Sequence, residues 1–188
     1  MKYSEFKIKG TGLIATKKFF DDTYGEAYFQ KNWNKYYPGN TLLASSWYNM
    51  DSIVQWMYDL SKETSMSFRE LVLLNTRFVL ENDLNGVYKF FMKLGGVVRV
   101  LDFSPQLAKT YSNCLDLKNI ENRDGYYRAE VVIPTKYSEF TVFGQEGSLD
   151  GILKVCSKKM TEFKILGNDI TKIDGVEFSK IIYEIKYV

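Results

Sequence analysis

The prevailing spacing of apolar residues in this chain changes near residue 112, and that switch limits the fold more than any motif does. Upstream, they recur every three or four positions, the period of a helix with one buried face. Downstream, they alternate every second position, the period of a strand with one buried face. The clearest helix follows Asn49 or Asp51 as a cap and carries Ile53, Val54, Trp56, Met57 and Leu60 on one side. Another opens at Ser67, with Glu70 placed for a capping box and Leu71, Leu74, Phe78 and Val79 as its face. Asn82-Asp83-Leu84-Asn85-Gly86 reads as an interruption, after which Val87, Phe90, Phe91 and Leu94 continue the pattern to Gly95-Gly96. A short helix over Val97 to Phe103 follows, and Ser104-Pro105 begins the next, turning Leu107, Ala108 and Tyr111 inward. Ahead of these come a short strand at Phe6 to Lys9, helices over Leu13–Phe20 and Glu26–Tyr36, and a turn at Pro38-Gly39-Asn40.

The alternating part starts at Leu115 and Leu117, with a shift at Ile120. Asp124-Gly125 is a hairpin signal, and Tyr127, Ala129, Val131 and Ile133 form the buried face of the returning strand. Tyr137 to Phe143 is apolar and aromatic and could be an extended loop; a helix marked by Leu149, Ile152, Leu153, Cys156 and Met160 starts before Leu149 and ends near Lys158-Lys159. Phe163-Lys164-Ile165, a turn at Asp174-Gly175 and a strand with Ile181, Tyr183, Ile185 and Tyr187 complete the chain. The fold class is therefore α+β: an N-terminal helical subdomain, about 1–112, packed on a small C-terminal antiparallel sheet, 113–188, in the order ββαββ with one covering helix. No Pro/Ser/Gly linker separates the halves, so 1–188 reads as one domain, and Phe6–Lys9 could join the C-terminal sheet.

There is no histidine among the 188 residues, which excludes Ser-His-Asp and Cys-His catalytic centres, HExxH zinc sites and His-ligated haem. No metal site or cofactor is expected. Cys114 and Cys156 lie 42 positions apart in apolar surroundings and read as buried thiols of a reducing compartment. Twenty-five Lys and Arg against 23 Asp and Glu leave no broad basic footprint, so nucleic acid is not an expected partner. No secretion signal and no apolar run of membrane-spanning length occur, and the expected location is cytoplasmic. Gly10-Thr11-Gly12 lacks the rest of a P-loop or dinucleotide fingerprint and reads as a tight turn at a strand end. Glu81 and Asp83, beside the supposed helix break, read as hydrated or capping carboxylates.

The 14 Tyr, 13 Phe and 3 Trp exceed what a core of this size ordinarily draws on, and three uses compete: a filled aromatic core, a ligand pocket, or a dimer interface. As pocket walls the candidates are Trp47, Tyr48, Trp56, Phe78, Tyr88 and Phe91, with Arg77 or Arg99 to meet a carboxylate head.

Lys9-Gly10-Thr11-Gly12-Leu13, Ser46-Trp47-Tyr48, the run Asp83-Leu84-Asn85-Gly86-Val87-Tyr88-Lys89-Phe90-Phe91 and Leu94-Gly95 give the chain a family resemblance. It resembles a family of roughly 180-residue uncharacterised proteins common in myxobacteria. That family is distantly similar to the haem-nitric-oxide-binding fold and to vinyl-reductase-type small-molecule-binding domains. The resemblance implies a helical subdomain on a small antiparallel sheet and a scaffold for a small apolar ligand. It does not imply haem sensing here, because the proximal His and the Tyr-x-Ser-x-Arg motif of the haem-binding relatives are absent. The functional expectation is a non-catalytic sensory or adaptor domain that binds a small hydrophobic molecule or acyl chain and signals through a homodimer or a signalling protein. The alternative is a protein-interaction or structural module with a filled core and no ligand.

Overall fold

The computed structural model describes residues 6–37, 41–86 and 95–188. Strand β1 (Lys7–Lys9) leads into helices α1 (Gly10–Tyr24) and α2 (Tyr28–Tyr36). Strand β2 (Trp47–Asn49) leads into α3 (Met50–Glu63) and α4 (Phe68–Asn85), and then come α5 (Gly96–Asp102) and α6 (Ser104–Tyr111). The C-terminal part consists of β3 (Asp116–Arg123), β4 (Tyr126–Pro134), a single 3₁₀ turn, α7 (Ser138–Val155), β5 (Met160–Ile173) and β6 (Val176–Tyr187). A helical N-terminal bundle thus packs on an antiparallel sheet of order β3-β4-β6-β5, with α7 as the covering helix.

The cap signals act as read. Asn49 Oδ1 accepts from the Ser52 amide at 3.1 Å, and Ser67 Oγ accepts from the Glu70 amide at 3.2 Å. In the sheet, Ala129 lies opposite Tyr183, Val131 opposite Ile181 and Tyr127 opposite Ile185. All six are buried, so the two alternating runs form one inner face. The shift suspected at Ile120 is a break in the β3–β4 register between Asn119 and Glu121.

Several elements depart from the expected ones. Gly10-Thr11-Gly12 is the first turn of α1 rather than a loop. A Cβ on Gly10 would stand 2.0 Å from the Leu43 carbonyl oxygen, so the close approach of that segment requires glycine there. Phe6–Lys9 does not join the large sheet; β1 pairs with β2, with Ile8 opposite Tyr48, and Ile8 also bridges to Ser112. Residues 82–85 do not interrupt α4. Asp83 is buried inside the helix, and its carboxylate accepts the Tyr111 hydroxyl, so its polarity is satisfied without a break. Tyr137–Phe143 is no loop: α7 begins at Ser138 and ends at Val155, so Met160, expected on this helix, instead opens β5. The buried face of α7 includes Thr141, Gly144, Gly147 and Gly151, residues that carry little or no apolar side chain and so hide the helical period. Strand β5 is far longer than Phe163–Ile165; its outer half bonds to β6 alone and is exposed, which removes the alternation that would have marked it. The turn at residues 38–40 lies outside the described residues.

Two apolar clusters form the core. One unites the sheet's inner face with α5, α7 and the C-terminal part of α4. The other joins α1, α2, α3 and the N-terminal part of α4 around Phe20, Phe29, Trp33 and Trp56. Helix α4 belongs to both, and its closest neighbour is α7. A Cβ on Gly147 would lie 2.2 Å from the Leu73 carbonyl oxygen, and one on Gly151 2.7 Å from that of Arg77.

Candidate functional site

Between the two clusters lies a cavity of about 160 Å³. Its wall is built from one side by α1 (Leu13, Thr16), α3 (Ile53, Trp56, Met57) and α4 (Asn75, Val79), and from the other by α6 (Leu107, Tyr111), α7 (Phe140, Gln145, Leu149) and the sheet (Ile133, Tyr183). Because α1, α3 and α4 are amphipathic helices facing the same interior, their i, i+3 and i+4 positions converge there. Among the described residues the wall is mainly aliphatic and contains no Lys, Arg, Asp or Glu. An apolar cavity of about 150 Å³ stays dry and accepts a benzene-sized molecule, so this one is of ligand scale.

Most polar groups on the wall are spoken for. Thr16 donates to the Gly12 carbonyl at 3.0 Å and Thr76 to that of Val72 at 2.9 Å. Ser104 donates to the Leu101 carbonyl at 2.7 Å, and Tyr183 donates to Gln145 Oε1 at 3.0 Å. Burial holds the Tyr183 hydroxyl well above the usual tyrosine range, so it stays neutral. Two atoms of wall residues that are shut off from solvent have no partner among the described residues: the indole Nε1–H of Trp56 and the amide Oδ1 of Asn75, in residues 1% and 5% exposed. An unpaired buried donor or acceptor costs about 1–3 kcal/mol, and such groups are uncommon in native interiors.

Of the described residues expected on a pocket wall, the structure brings only Trp56 to this cavity. Tyr48 is buried in the helical cluster, where its ring meets Trp33 edge-on at 5.0 Å and its hydroxyl accepts from the Leu43 amide at 2.8 Å. Trp47 points to the surface on β2, with Lys9 Nζ 4.7 Å from its ring. Phe78 packs on Phe19 at 5.6 Å, outside the cavity. Arg77 spans α4 and α7: its guanidinium binds Glu81 at 2.9 Å and Asp150 at 3.1 Å. Arg99 is exposed on α5. Neither arginine reaches the cavity, so neither can meet a ligand head inside it. Tyr88 and Phe91 lie outside the described residues. Sequence reasoning missed Asn75, whose signal was a polar residue four positions after Leu71 and four before Val79 on the apolar face of α4.

Cys114 and Cys156 are free thiols, and burial pushes both up from the ordinary range, which keeps them protonated and unreactive. Among the described residues no group of three His, Cys, Asp or Glu is placed to hold a metal ion, and no helix is long and apolar enough to cross a membrane.

The arrangement of helices packed on one antiparallel sheet is shared with solved H-NOX domains. An oxygen-binding H-NOX domain related to soluble guanylate cyclases superposes with a TM-score of 0.71 at 17% identity, covering 95% of this chain and 94% of that one. A Cs H-NOX mutant carrying 4-cyano-L-phenylalanine gives 0.71 at 17% identity over 95% and 96%. A point mutant of T. tengcongensis H-NOX gives 0.68 at 17% over 95% and 97%. At such identity the likeness establishes the fold. It supports the haem-nitric-oxide-binding part of the family resemblance and says nothing of a myxobacterial or vinyl-reductase connection. No protein-family model and no curated protein sequence matches the chain.

Proposed function

We propose that this chain is a non-catalytic sensory domain that binds a small, uncharged, largely apolar molecule in the cavity between its helical bundle and its sheet. The observation that carries this reading is the cavity: ligand-sized, uncharged over its described wall, and framed by the two parts of a fold shared with H-NOX domains. Its wall includes α4 and α7, the helices in tightest contact, so occupancy would bias how the two layers sit on each other and alter a surface read by a partner. A second copy of the chain or a separate signalling protein would serve as that partner.

The similar proteins include ones whose heme has been the object of study, and this cavity does not fit that group. Haem iron is held by His, Cys, Tyr or a Met opposite a His. This chain has no His, and neither cysteine is on the wall. The Tyr111 and Tyr183 hydroxyls are bound to Asp83 and Gln145. Met50 and Met57 offer thioethers alone, and no Lys or Arg on the described wall awaits a propionate. A benzene-scale space is also far too small for a tetrapyrrole. The absence of a cation on the described wall likewise argues against an ionised fatty acid buried whole.

Native mass spectrometry of freshly purified protein, repeated on the same sample after denaturation, tests the reading. The expected result is a reproducible extra mass that leaves on unfolding and is lost in Ala108→Leu, which fills the cavity from α6. A bare polypeptide mass together with no effect of small apolar molecules on the melting temperature would refute it. That outcome would favour the second reading, a protein-interaction module, for which the exposed Leu166 and Ile170 on the outer strand β5 are the specific observation. The native spectrum also reads the oligomeric state.

A further inference from the structure

Strand β5 is an open edge of the large sheet, and its residue order is complementary to itself. We infer that two copies of the chain associate through β5, antiparallel, about a two-fold axis at Leu166–Gly167. Phe163 then lies opposite Ile170 of the second copy, and Lys164 opposite its Asp169. The inference goes beyond the ligand-binding reading and stands without it, and it names the surface through which a second copy would act as partner.

The sheet order β3-β4-β6-β5 leaves β3 and β5 as its edges. The first exposes Asp116, Lys118, Glu121 and Arg123, charges that resist pairing. The second exposes Ile165, Leu166, Ile170 and Ile173. Which way β5 faces follows from β6. Phe163, Ile165, Asn168 and Ile170 lie opposite Ile185, Tyr183, Ile181 and Ser179, all buried on the inner face of the sheet. Lys164 and Asp169 lie opposite Glu184 and Lys180, on the outer face. Five positions apart, they would stand on opposite faces of a regular strand, and the register shift between Ile165 and Gly167 puts them on one.

The hydrogen-bond phase agrees. Val188 and Lys159 exchange both backbone bonds, and the Tyr187 amide turns the other way, to the Gly125 carbonyl. The β4–β6 register has no break, so alternation along β6 turns Glu184 and Lys180 toward Lys164 and Asp169. The inward residues Phe163, Ile165, Asn168 and Ile170 therefore aim their amides and carbonyls at the open edge. Set against itself, the strand makes Phe163–Ile170 and Ile165–Asn168 hydrogen-bonded pairs, with Lys164–Asp169 as the closer pair between, each formed twice. Glu184 and Lys180 are taken by Arg128 at 3.1 Å and Glu130 at 2.9 Å, which leaves Lys164 and Asp169 outside the ion pairs of the described residues. A Cβ on Gly167 would meet nothing within 4 Å, so Leu166 of the second copy has room there. Residues 162–171 give a contact about 33 Å long and about 10 Å deep, roughly 700 Å² over both copies. That falls short of the ~1,200 Å² of a standard interface and fits a weak, reversible dimer.

Sedimentation velocity of the full chain, from about 5 μM to about 1 mM, reads the association. The weight-average mass should climb from one chain toward two. Asp169→Lys sets Lys against Lys at both symmetry-related sites and should weaken the dimer about tenfold, and adding Lys164→Asp should restore it. A mixture of Lys164→Cys and Asp169→Cys chains should cross-link on mild oxidation, and neither variant alone should. Only the mixture sets two introduced cysteines opposite each other, about 4.5 Å apart at Cα. Both positions are exposed, so the variants keep the fold, which far-UV circular dichroism checks. A chain that stays monomeric to about 1 mM overturns the inference and leaves β5 to a strand of a different protein. A dimer indifferent to Asp169→Lys, or a cysteine mixture that does not cross-link, overturns it too and moves the contact to another face. None of these results bears on the cavity, whose occupancy the native mass reads separately.

Discussion

Replacing Gly147 and Gly144 by alanine, one at a time, should move stability in opposite directions. Both lie on the buried side of α7 against α4, three residues apart. In each, the new methyl group removes the conformational cost of glycine in a helix, worth about 0.5–1 kcal/mol of stabilisation. What differs is the space. At Gly144 the nearest atom to a Cβ is Thr76 Cγ2 at 3.6 Å, an ordinary contact. At Gly147 a Cβ would stand 2.2 Å from the Leu73 carbonyl oxygen and 2.3 Å from Thr76 Oγ1. The first obstacle is backbone in the middle of α4, so relief requires the two helices to separate by about 1 Å, in an interior packed at crystal density. Overpacking of this kind costs about 1–3 kcal/mol, and a backbone obstacle belongs at the upper end. The net for Gly147→Ala is then about 2 kcal/mol of destabilisation, against a gain of up to about 1 kcal/mol for Gly144→Ala. For a chain of 188 residues each kcal/mol shifts the melting temperature by about 2–4 °C. Thermal unfolding followed by far-UV circular dichroism should therefore place the two variants roughly 6–12 °C apart, on either side of the unaltered chain. Equal shifts of the same sign would show that α4 and α7 are not held at the separation described here.

Trp56→Ala should cost about 3–5 kcal/mol in denaturant titration, because the indole packs on Phe20 at 5.3 Å and Phe29 at 5.0 Å, whereas Trp56→Phe should cost less than about 2 kcal/mol, since it also removes the unpaired N–H. Burial pushes the Tyr127 hydroxyl up to about 12, against the hydrogen bond with Ser104 that pulls it down. The unfolded chain releases that proton near pH 10 while the folded one keeps it, so the stabilisation is whole below pH 10 and about 2 kcal/mol of it is lost by pH 12. Tyr127→Phe should flatten that alkaline decline in urea titrations run between pH 9 and 12. Arg77→Met should cost about 1 kcal/mol by the same titrations, because the side chains it pairs with, Glu81 and Asp150, and its own still keep 22–33% of their surface in solvent; a loss above 3 kcal/mol would mark them as a buried network instead.

What the sequence disclosed follows from which side chains carry the signal. The period switch near residue 112 gave away the two layers, because helix and strand bury different spacings, and the cap residues Asn49 and Ser67 fixed where α3 and α4 begin. Helix α7 was half hidden because its contact with α4 is made by glycines, and β5 was mostly hidden because an outer strand exposed on both faces has no alternation to read. The candidate site failed to appear for a related reason. Aromatic abundance suggested an aromatic pocket, yet large rings satisfy one another: Trp33, Tyr37 and Tyr48 pack mutually at 4.3–5.4 Å, and Phe20 and Phe29 close on Trp56. The space is left where aliphatic side chains of unequal length meet across two layers, and no composition count records that. What does record it is a polar residue in an apolar stripe. Asn75 stands where a leucine or valine would complete the face between Leu71 and Val79 at no polar cost, and its carbonyl has no partner in the protein. Asn75→Leu should therefore leave the chain as stable as before or more so, because the unpaired oxygen goes and the apolar stripe closes.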